Sequence, residues 1–405
     1  MNMQIYFKEV EMKDFRLPEE IKAVMSRLNA CGFCADLVGG AVRDFLLGKE
    51  PFDYDITTDA TPDEMKRVFS GMRVVETGIK HGTLTVIVNS VPIEVTTYRI
   101  DGEYSDARHP EDVSFTKNLA DDLSRRDFTV NAIAYSEERG ITDLFGGMKD
   151  LEDGCIRAVG DAYLRFTEDA LRIMRALRFS STLGFKIEKS TADAIFEKAH
   201  LLKLVSVERI YAEWQKLVTG RGVFEVISRF YEPLSVVLPE ISPSLSVKRW
   251  DAYFAADARL ASLALFSHLS GDEYSSLMYR MHSDAKSRTL GERVLSAYRT
   301  LEVTGYVAIK RIASSLGYEV AESALRLRYI LGIDEEEPLL HLSRLKESGE
   351  AYEISQLKIG GEELMALGVR GQAIGEWLSR LLSSVIEGEI SNERDALISF
   401  VAKNT

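Results

Sequence analysis

Strand signals crowd into the stretch before Ala158 and nearly vanish after it, and no other feature restricts the fold as much. Ala35 to Val38 reads as a short strand running into Gly39-Gly40, and Ala41 to Leu47 as a helix that stops at Gly48. Thr83 to Val88 and Ile93 to Tyr98 are β-rich runs split by Asn89-Ser90, a hairpin signal. Asn131 to Tyr135 and Ile141 to Leu144 form a second short pair closed by Phe145-Gly146-Gly147, and Leu17 to Leu28 has helical periodicity. Beyond Ala158, amphipathic segments rich in Ala, Leu, Glu and Arg take over, punctuated by Gly184, Gly220, Gly222, Pro233, Pro239 and Gly332. A chain of 405 residues is too long for one core. The pattern therefore predicts an α+β chain, with a small mixed-sheet head followed by an all-helical remainder. Internal repeats and low-complexity segments are absent from the sequence.

Charge narrows the range of partners. The net charge of −13 argues against a general polyanion binder, because phosphate contacts need Lys and Arg. A local basic face is still compatible with it: Gly154 to Gly220 holds eleven Lys and Arg against eight Asp and Glu. No apolar run reaches bilayer length, so no membrane partner is expected. Met1 to Val10 lacks the basic-then-apolar pattern of a signal peptide, which makes the cytoplasm the expected compartment. Three cysteines, Cys31, Cys34 and Cys155, are too few for a disulfide framework. Cys31 and Cys34 have CxxC spacing, but no second Cys or His pair nearby could close a zinc tetrahedron. We read that pair as structural. The six histidines are scattered and form neither a metal nor a triad pattern.

Chemistry concentrates in Leu37-Val-Gly-Gly-Ala-Val-Arg-Asp44 and, just after it, Phe52-Asp-Tyr-Asp-Ile56. Glycines at a strand-to-helix turn let backbone N–H groups approach an anion, and the helix start behind Gly40 adds a favourable dipole. Arg43, one turn in, could fork onto phosphate oxygens. Asp53 and Asp55 are two apart, and on a strand such residues project to one face. Side-by-side carboxylates are costly unless a cation neutralises them. Oxygen donors in that number suit Mg²⁺, which fills its shell with substrate phosphates and water. Glu94 alternates away from Ile93 and Val95, so it is either a third carboxylate near the metals or part of an ordinary polar strand face.

A third stretch, Thr167-Glu-Asp-Ala-Leu-Arg-Ile-Met-Arg-Ala-Leu-Arg178, reads as one helix with Thr167 as N-cap and acids in its first turn. Ile173, Met174 and Leu177 form its apolar arc, and Asp169, Arg172, Arg175 and Arg178 advance around the other side. Asp169 and Arg172, three apart, are surface neighbours. They are either a structural ion pair or a reader of base edges. Cytosine and adenine each present an amino donor beside a ring-nitrogen acceptor, and a carboxylate beside a guanidinium complements that pattern. Guanine and uracil present the reverse order, and a mismatched edge costs roughly 1–3 kcal/mol.

Gly39-Gly-Ala-Val-Arg-Asp44 followed by Asp53-Tyr-Asp55 resembles the catalytic signature of the polymerase-β-like nucleotidyltransferases. The variant is that of class II tRNA nucleotidyltransferases and bacterial poly(A) polymerases. Arg125-Arg-Asp-Phe-Thr-Val-Asn-Ala132 is similar to that family's second motif, and Glu168-Asp-Ala-Leu-Arg172 to its base-reading motif. The resemblance implies that Asp53 and Asp55 hold two Mg²⁺, and that Gly40, Arg43 and Arg126 position the triphosphate. It further implies that Asp127 holds the ribose, that Asp169 with Arg172 reads the base, and that Arg175 and Arg178 continue a basic row. The implied activity is addition of C, C and A to a tRNA 3′ end from CTP and ATP, with the tRNA acceptor arm lying along the helices. The polar, turn-rich stretch Asp101 to Pro110 is similar to a loop that the family needs for adding A. The implied organisation is a head at 1–157, a neck at 158–220, a helical body at 221–346 and a tail at 347–405, elongated overall. Leu357 to Gly368 and Gly388 to Asn392 resemble the family's tail. Rival readings are an enzyme adding A alone or CC alone, a poly(A) polymerase, a small-molecule nucleotidyltransferase, and an RNA-binding protein without catalysis.

Overall fold

The computed structural model describes residues 17–76, 78–101 and 113–404. The polar, turn-rich stretch Asp101 to Pro110 lies outside them from residue 102 onward. The chain divides into two compact units, 1–243 and 244–405. No helix among the described residues is long and apolar enough to cross a membrane.

In the first unit α1 (Glu19–Ala30) leads into β1 (Ala35–Val38), α2 (Gly40–Leu46), β2 (Asp55–Thr58) and α3 (Pro62–Val68). Next come β3 (Arg73–Val75), β4 (Thr83–Val88), β5 (Val91–Thr97), β6 (Arg99–Asp101) and β7 (Val113–Phe115). Then follow α4 (Leu119–Ser124), β8 (Ile133–Ser136), β9 (Gly140–Asp143) and α5 (Gly147–Asp153). Seven of these strands form one mixed sheet in the order β3-β4-β5-β2-β1-β8-β9. β2 lies at its centre, antiparallel to β1 and parallel to β5. The expected hairpin is present: β4 and β5 are antiparallel, and Asn89 and Ser90 both take positive φ, 48° and 68°. Such backbone angles give a two-residue turn the twist of its flanking strands. The second expected pair begins later than the sequence suggests. Residues Thr129–Asn131 form a 3₁₀ turn before β8, because Thr129 Oγ1 and the Arg157 side chain both bind the buried Asp150 carboxylate.

The helical signal after Ala158 is fulfilled apart from one short parallel pairing of β10 (Cys155–Ile156) with β11 (Lys186–Ile187). Helices α6 (Ala162–Glu168), α7 (Leu171–Leu183), α8 (Lys189–Lys198) and α9 (Val207–Val218) follow the sheet. Ile173, Met174 and Leu177 are fully buried, as the apolar arc requires. The second unit is helical throughout its described residues. One core gathers Ile309, Ala313, Leu325, Leu342 and Leu345, and another gathers Leu364, Leu381, Leu397 and Val401. The three cysteines are free thiols, and Cys34 Sγ accepts a hydrogen bond from Arg139 at 3.2 Å.

Candidate active site

The site forms where β1 hands over to α2. Gly39 ends the strand with φ 72° and ψ −132°, a conformation that a side chain would strain. Space gives a second reason for glycine. A Cβ there would lie 3.2 Å from Arg126 Nη1 and 3.8 Å from Asp55 Oδ2. Asp55 and Arg126 therefore both crowd the glycine turn. Gly40 opens α2, and Arg43 one turn on is buried, donating to Asn131 Oδ1 at 2.8 Å and pairing with Asp44 at 2.8 Å.

Asp53 and Asp55 do not share a strand. β2 begins at Asp55, and Asp53 lies in the turn before it, which corrects the expectation of two carboxylates on one strand face. Register explains the difference. Asp55 pairs with Val38, the last residue of β1, and with Glu94 on β5. Two positions earlier on β5 stands Pro92, which has no N–H to donate to a ladder. The turn thus delivers one acid and the strand delivers the other.

The two acids and Glu94 still feel one another. Asp55 touches solvent, but the protein around it pushes its carboxyl above the usual range; Arg126 pulls it back and the charge of Asp53 pushes it up again. Glu94 is raised by burial first, then by Asp55 and Asp53. Among the described residues none of the three has a hydrogen-bonded or ion-paired side-chain partner. No group of three or more His, Cys, Asp or Glu among those residues closes a metal site by itself. Carboxylate oxygens set this way fit a hard divalent cation that takes its remaining ligands from substrate and water. Beside them, Arg126 donates to Asp122 Oδ2 at 3.3 Å, and its Nε is buried with no partner. Acids with no hydrogen-bonded side-chain partner among the described residues stand next to a guanidinium with spare donors.

The arginines of the helices that follow the sheet are arranged in the opposite way. Asp127 is buried and accepts from its neighbour Phe128 N at 2.8 Å, from Asn131 Nδ2 at 3.1 Å and from Arg175 Nε at 2.7 Å. Burial opposes its charge, but Arg175 and Asn131 outweigh burial and hold the carboxyl down to about 2. Arg178 pairs with Glu213 at 2.6 Å. The Phe179 ring lies 5.2 Å from Arg43 Cζ, 5.4 Å from Arg175 Cζ and 3.6 Å from Arg178 Cζ. An aromatic face attracts cations, which offsets the repulsion of three guanidinium groups gathered together.

The structure overturns the single helix read from Thr167 to Arg178. Thr167 lies inside α6 and donates its hydroxyl to the Tyr163 carbonyl at 2.7 Å, while Asp161 is the residue that caps α6. The chain breaks at Asp169, φ −138° and ψ 101°, and α7 starts at Leu171. Asp169 stabilises its own break, because Oδ1 accepts from Leu171 N at 3.1 Å. Nor are Asp169 and Arg172 an ion pair. Arg172 donates to Glu168 at 2.9 Å and to the Arg125 carbonyl at 2.9 Å. Asp169 Oδ2 accepts from Arg209 Nη2 at 3.0 Å.

The structure brings Gly40, Arg43, Asp53, Asp55, Arg126 and Asp127 around the β1–α2 turn, and carries Asp169, Arg172, Arg175 and Arg178 on the adjoining neck. Sequence reasoning missed Asp122, Asn131, Phe179, Arg209 and Glu213 as members of this assembly. Arg209 and Glu213 carried a usable signal. They lie four apart on α9, so a helix placing both on one face could reach Asp169 and Arg178 together.

Two family models match the chain: the poly A polymerase head domain over residues 35–157, and a probable RNA- and SrmB-binding site of polymerase A over residues 184–243. The CCA-adding enzyme of Leuconostoc mesenteroides is 34% identical, the match covering 96% of this chain and 98% of that protein. That of Pediococcus pentosaceus is 36% identical over 95% of this chain and 98% of its own length. Among solved structures, the Bacillus stearothermophilus CCA-adding enzyme in complex with CTP superposes with a TM-score of 0.79 at 30% identity, covering 95% of this chain and 97% of that one. The Thermotoga maritima CCA-adding enzyme complexed with tRNA shares the fold, with a TM-score of 0.70 at 20% identity over 97% of this chain and 98% of that one.

Proposed function

The chain belongs to the CCA-adding enzymes, tRNA nucleotidyltransferases with a polymerase-β-like head, and on that premise we propose that it adds C, C and A to the 3′ end of tRNA from CTP and ATP. One observation carries the reading: among the described residues Asp53, Asp55 and Glu94 have no hydrogen-bonded or ion-paired side-chain partner, beside an Arg126 whose Nε is buried and unpaired. That juxtaposition supports binding of a metal-bound triphosphate, with cation against the acids and anion against the arginine.

Membership in this family implies dependence on a divalent metal, and Mg²⁺ fits the oxygen donors of Asp53 and Asp55. When bound there, the ions would neutralise triphosphate charge and make the tRNA 3′-hydroxyl a better nucleophile. The chain's own residues bind and orient. Arg126 and Arg43, with the backbone of Gly40, hold the phosphates so that the 3′-oxygen attacks the α-phosphorus and pyrophosphate leaves. Asp127, its orientation preset by Asn131 and Arg175, takes the ribose. Asp169 accepts the exocyclic amino group of C or A, and Arg172 donates to the ring nitrogen beside it. Each keeps capacity for this, since a carboxylate offers about four acceptor positions and a guanidinium five donors. Arg175 and Arg178 supply a positive floor beneath the nucleotide. We assign 1–157 to the head, 158–220 to the neck, 221–346 to the body and 347–405 to the tail, the last two holding tRNA.

The test is incubation of the full chain with tRNA ending before CCA, after C and after CC, with CTP and ATP labelled separately and Mg²⁺ present. Ordered incorporation of C, C and A supports the reading. Incorporation of only A, only C, or a long A tract would assign the chain to one of the rival activities instead.

A further inference from the structure

Asp122 is fully buried on α4, and no motif singled it out. Its carboxylate is shared among three groups. Oδ1 accepts from Arg125 Nε at 3.0 Å and Nη2 at 2.6 Å, while Oδ2 accepts from Arg126 Nη2 at 3.3 Å and from Thr57 Oγ1 at 3.2 Å. Thr57 sits on β2 two residues beyond Asp55. The Arg125 carbonyl in turn accepts from Arg172. One buried acid thus ties the catalytic strand to the arginine beside Gly39, and through the backbone of Arg125 to the arginine assigned to base reading.

Among the described residues Arg126 is pinned at one nitrogen only. Nη2 is tethered, Nη1 points to the glycine turn and Nε is buried without a partner. A guanidinium is planar and rigid, so fixing one corner sets where its other donors point. Burial works against the charge of Asp122, but the Arg126 and Arg125 guanidinium groups prevail and hold its carboxyl below the usual range. The tether therefore stays ionised across the neutral range.

We propose that Asp122 is a positioning residue that fixes the Arg126 guanidinium for the incoming triphosphate, with Thr57 registering that tether to the catalytic strand. This rests on the assignment of Arg126 to the triphosphate. On this assignment Asp122 touches no substrate atom and acts chiefly through Arg126, whose guanidinium it holds directly, while Arg172 is reached only at one remove through the Arg125 main chain. Its loss must then appear in recognition of the triphosphate and not of the nucleoside.

The experiment uses the full chain with Mg²⁺ and compares wild type, Asp122→Asn, Arg126→Ala and the double variant. Affinities for CTP and CMP are measured by titration, and KM and kcat for CTP and ATP on tRNA ending before CCA. Expected for Asp122→Asn is a roughly tenfold loss of CTP affinity and a matching rise in KM for both nucleotides, with CMP affinity and kcat within about twofold of wild type. Adding Arg126→Ala should cost little more, because residues acting as one unit are non-additive. Equal losses for CTP and CMP, or losses that multiply in the double variant, would overturn the proposal. If Arg126→Ala alone leaves CTP binding intact, the assignment of Arg126 itself is wrong. Thr57→Val keeps the side-chain volume and serves where Asp122→Asn does not fold: it should shift the CTP-to-CMP affinity ratio two- to threefold in the same direction, and an unchanged ratio counts against the tether.

Discussion

The head and neck faces of this site treat their acids in opposite ways. Around β2, Asp53, Asp55 and Glu94 repel one another, Arg126 offsets this only in part at Asp55, and no ion pair to any of the three forms among the described residues. On the arginine-rich face, Asp127 of the head and three acids of the helices beyond it each pair with an arginine: Asp127 with Arg175, Glu213 with Arg178, Glu168 with Arg172 and Asp169 with Arg209. The first arrangement costs stability when empty and is relieved by a ligand that brings positive charge. The second is complete before anything binds, so it can hold a recognition surface rigid at no cost at the moment of binding. The contrast separates residues kept for chemistry from residues kept for shape.

The largest effect should come from the head face. Asp55→Asn should lower nucleotide incorporation by roughly a thousandfold or more, since metal-assisted charge stabilisation is worth several kcal/mol. The same variant should leave the melting temperature unchanged or higher, because it removes a charge that the apo protein disfavours. A clear drop in melting temperature would break the comparison. On the neck face the signs reverse. Asp127→Ala leaves Arg175 with Glu213 at 3.9 Å as its remaining acid, and breaking a buried pair costs about 3 kcal/mol, at the low end of the usual range because Arg175 keeps that contact and some solvent. The expected fall in melting temperature is roughly 6–12 °C. Calorimetry that finds Asp127→Ala as stable as wild type would mean the pairing is decorative.

Acid titration sharpens the point at a smaller scale. The Asp127 carboxyl is held down to about 2 when folded, against 3.8 unperturbed. Its contribution is therefore present above the unfolded value and lost as pH falls through the folded one. A shift of that size is worth about 2.5 kcal/mol. Between pH 4 and pH 2 the melting temperature of wild type should fall more steeply than that of Asp127→Asn, and parallel curves would remove Asp127 from the list of paired acids.

Much of this was legible in the chain. The Gly39-Gly40 turn, the Thr83–Val88 strand with its Asn89-Ser90 hairpin, and the burial of Ile173, Met174 and Leu177 follow from periodicity and turn chemistry, which are local. What failed needed partners distant in sequence. Asp53 left the strand because Pro92, some forty positions on, offers β2 no donor. The α6–α7 break escaped because Asp161 caps a helix starting before Thr167, and one turn of Asx geometry at Asp169 then ends it. Asp122 escaped because nothing in the sequence distinguishes a fully buried acid from the half-buried Asp121 beside it; only the fold brings Thr57 and Arg126 to one of them.

Arg209 offers the smallest and most discriminating test. Asp169 sits outside a helix, held by its own Oδ1 contact to Leu171 N and by Arg209 at Oδ2. Removing the guanidinium frees the carboxylate to rotate, so under the proposed base-reading role its lone pairs would no longer meet the amino group of C or A at a fixed angle. A hydrogen bond to a charged group contributes about 1.5–3 kcal/mol, but only its orienting part bears on selectivity, so about 1 kcal/mol is the reasonable share. Arg209→Gln should therefore lower the preference for CTP over UTP by roughly fivefold while CTP turnover changes less than that. Stability should change little, because the pair is partly solvated. The control is Arg209→Lys, which restores a charge without the planar fork and should recover only part of the selectivity. If Arg209→Gln instead slowed CTP and UTP alike, the paired acids of the neck would be scaffolding only, and the division between a face for chemistry and a face for recognition would have to be redrawn with Asp169 on neither side.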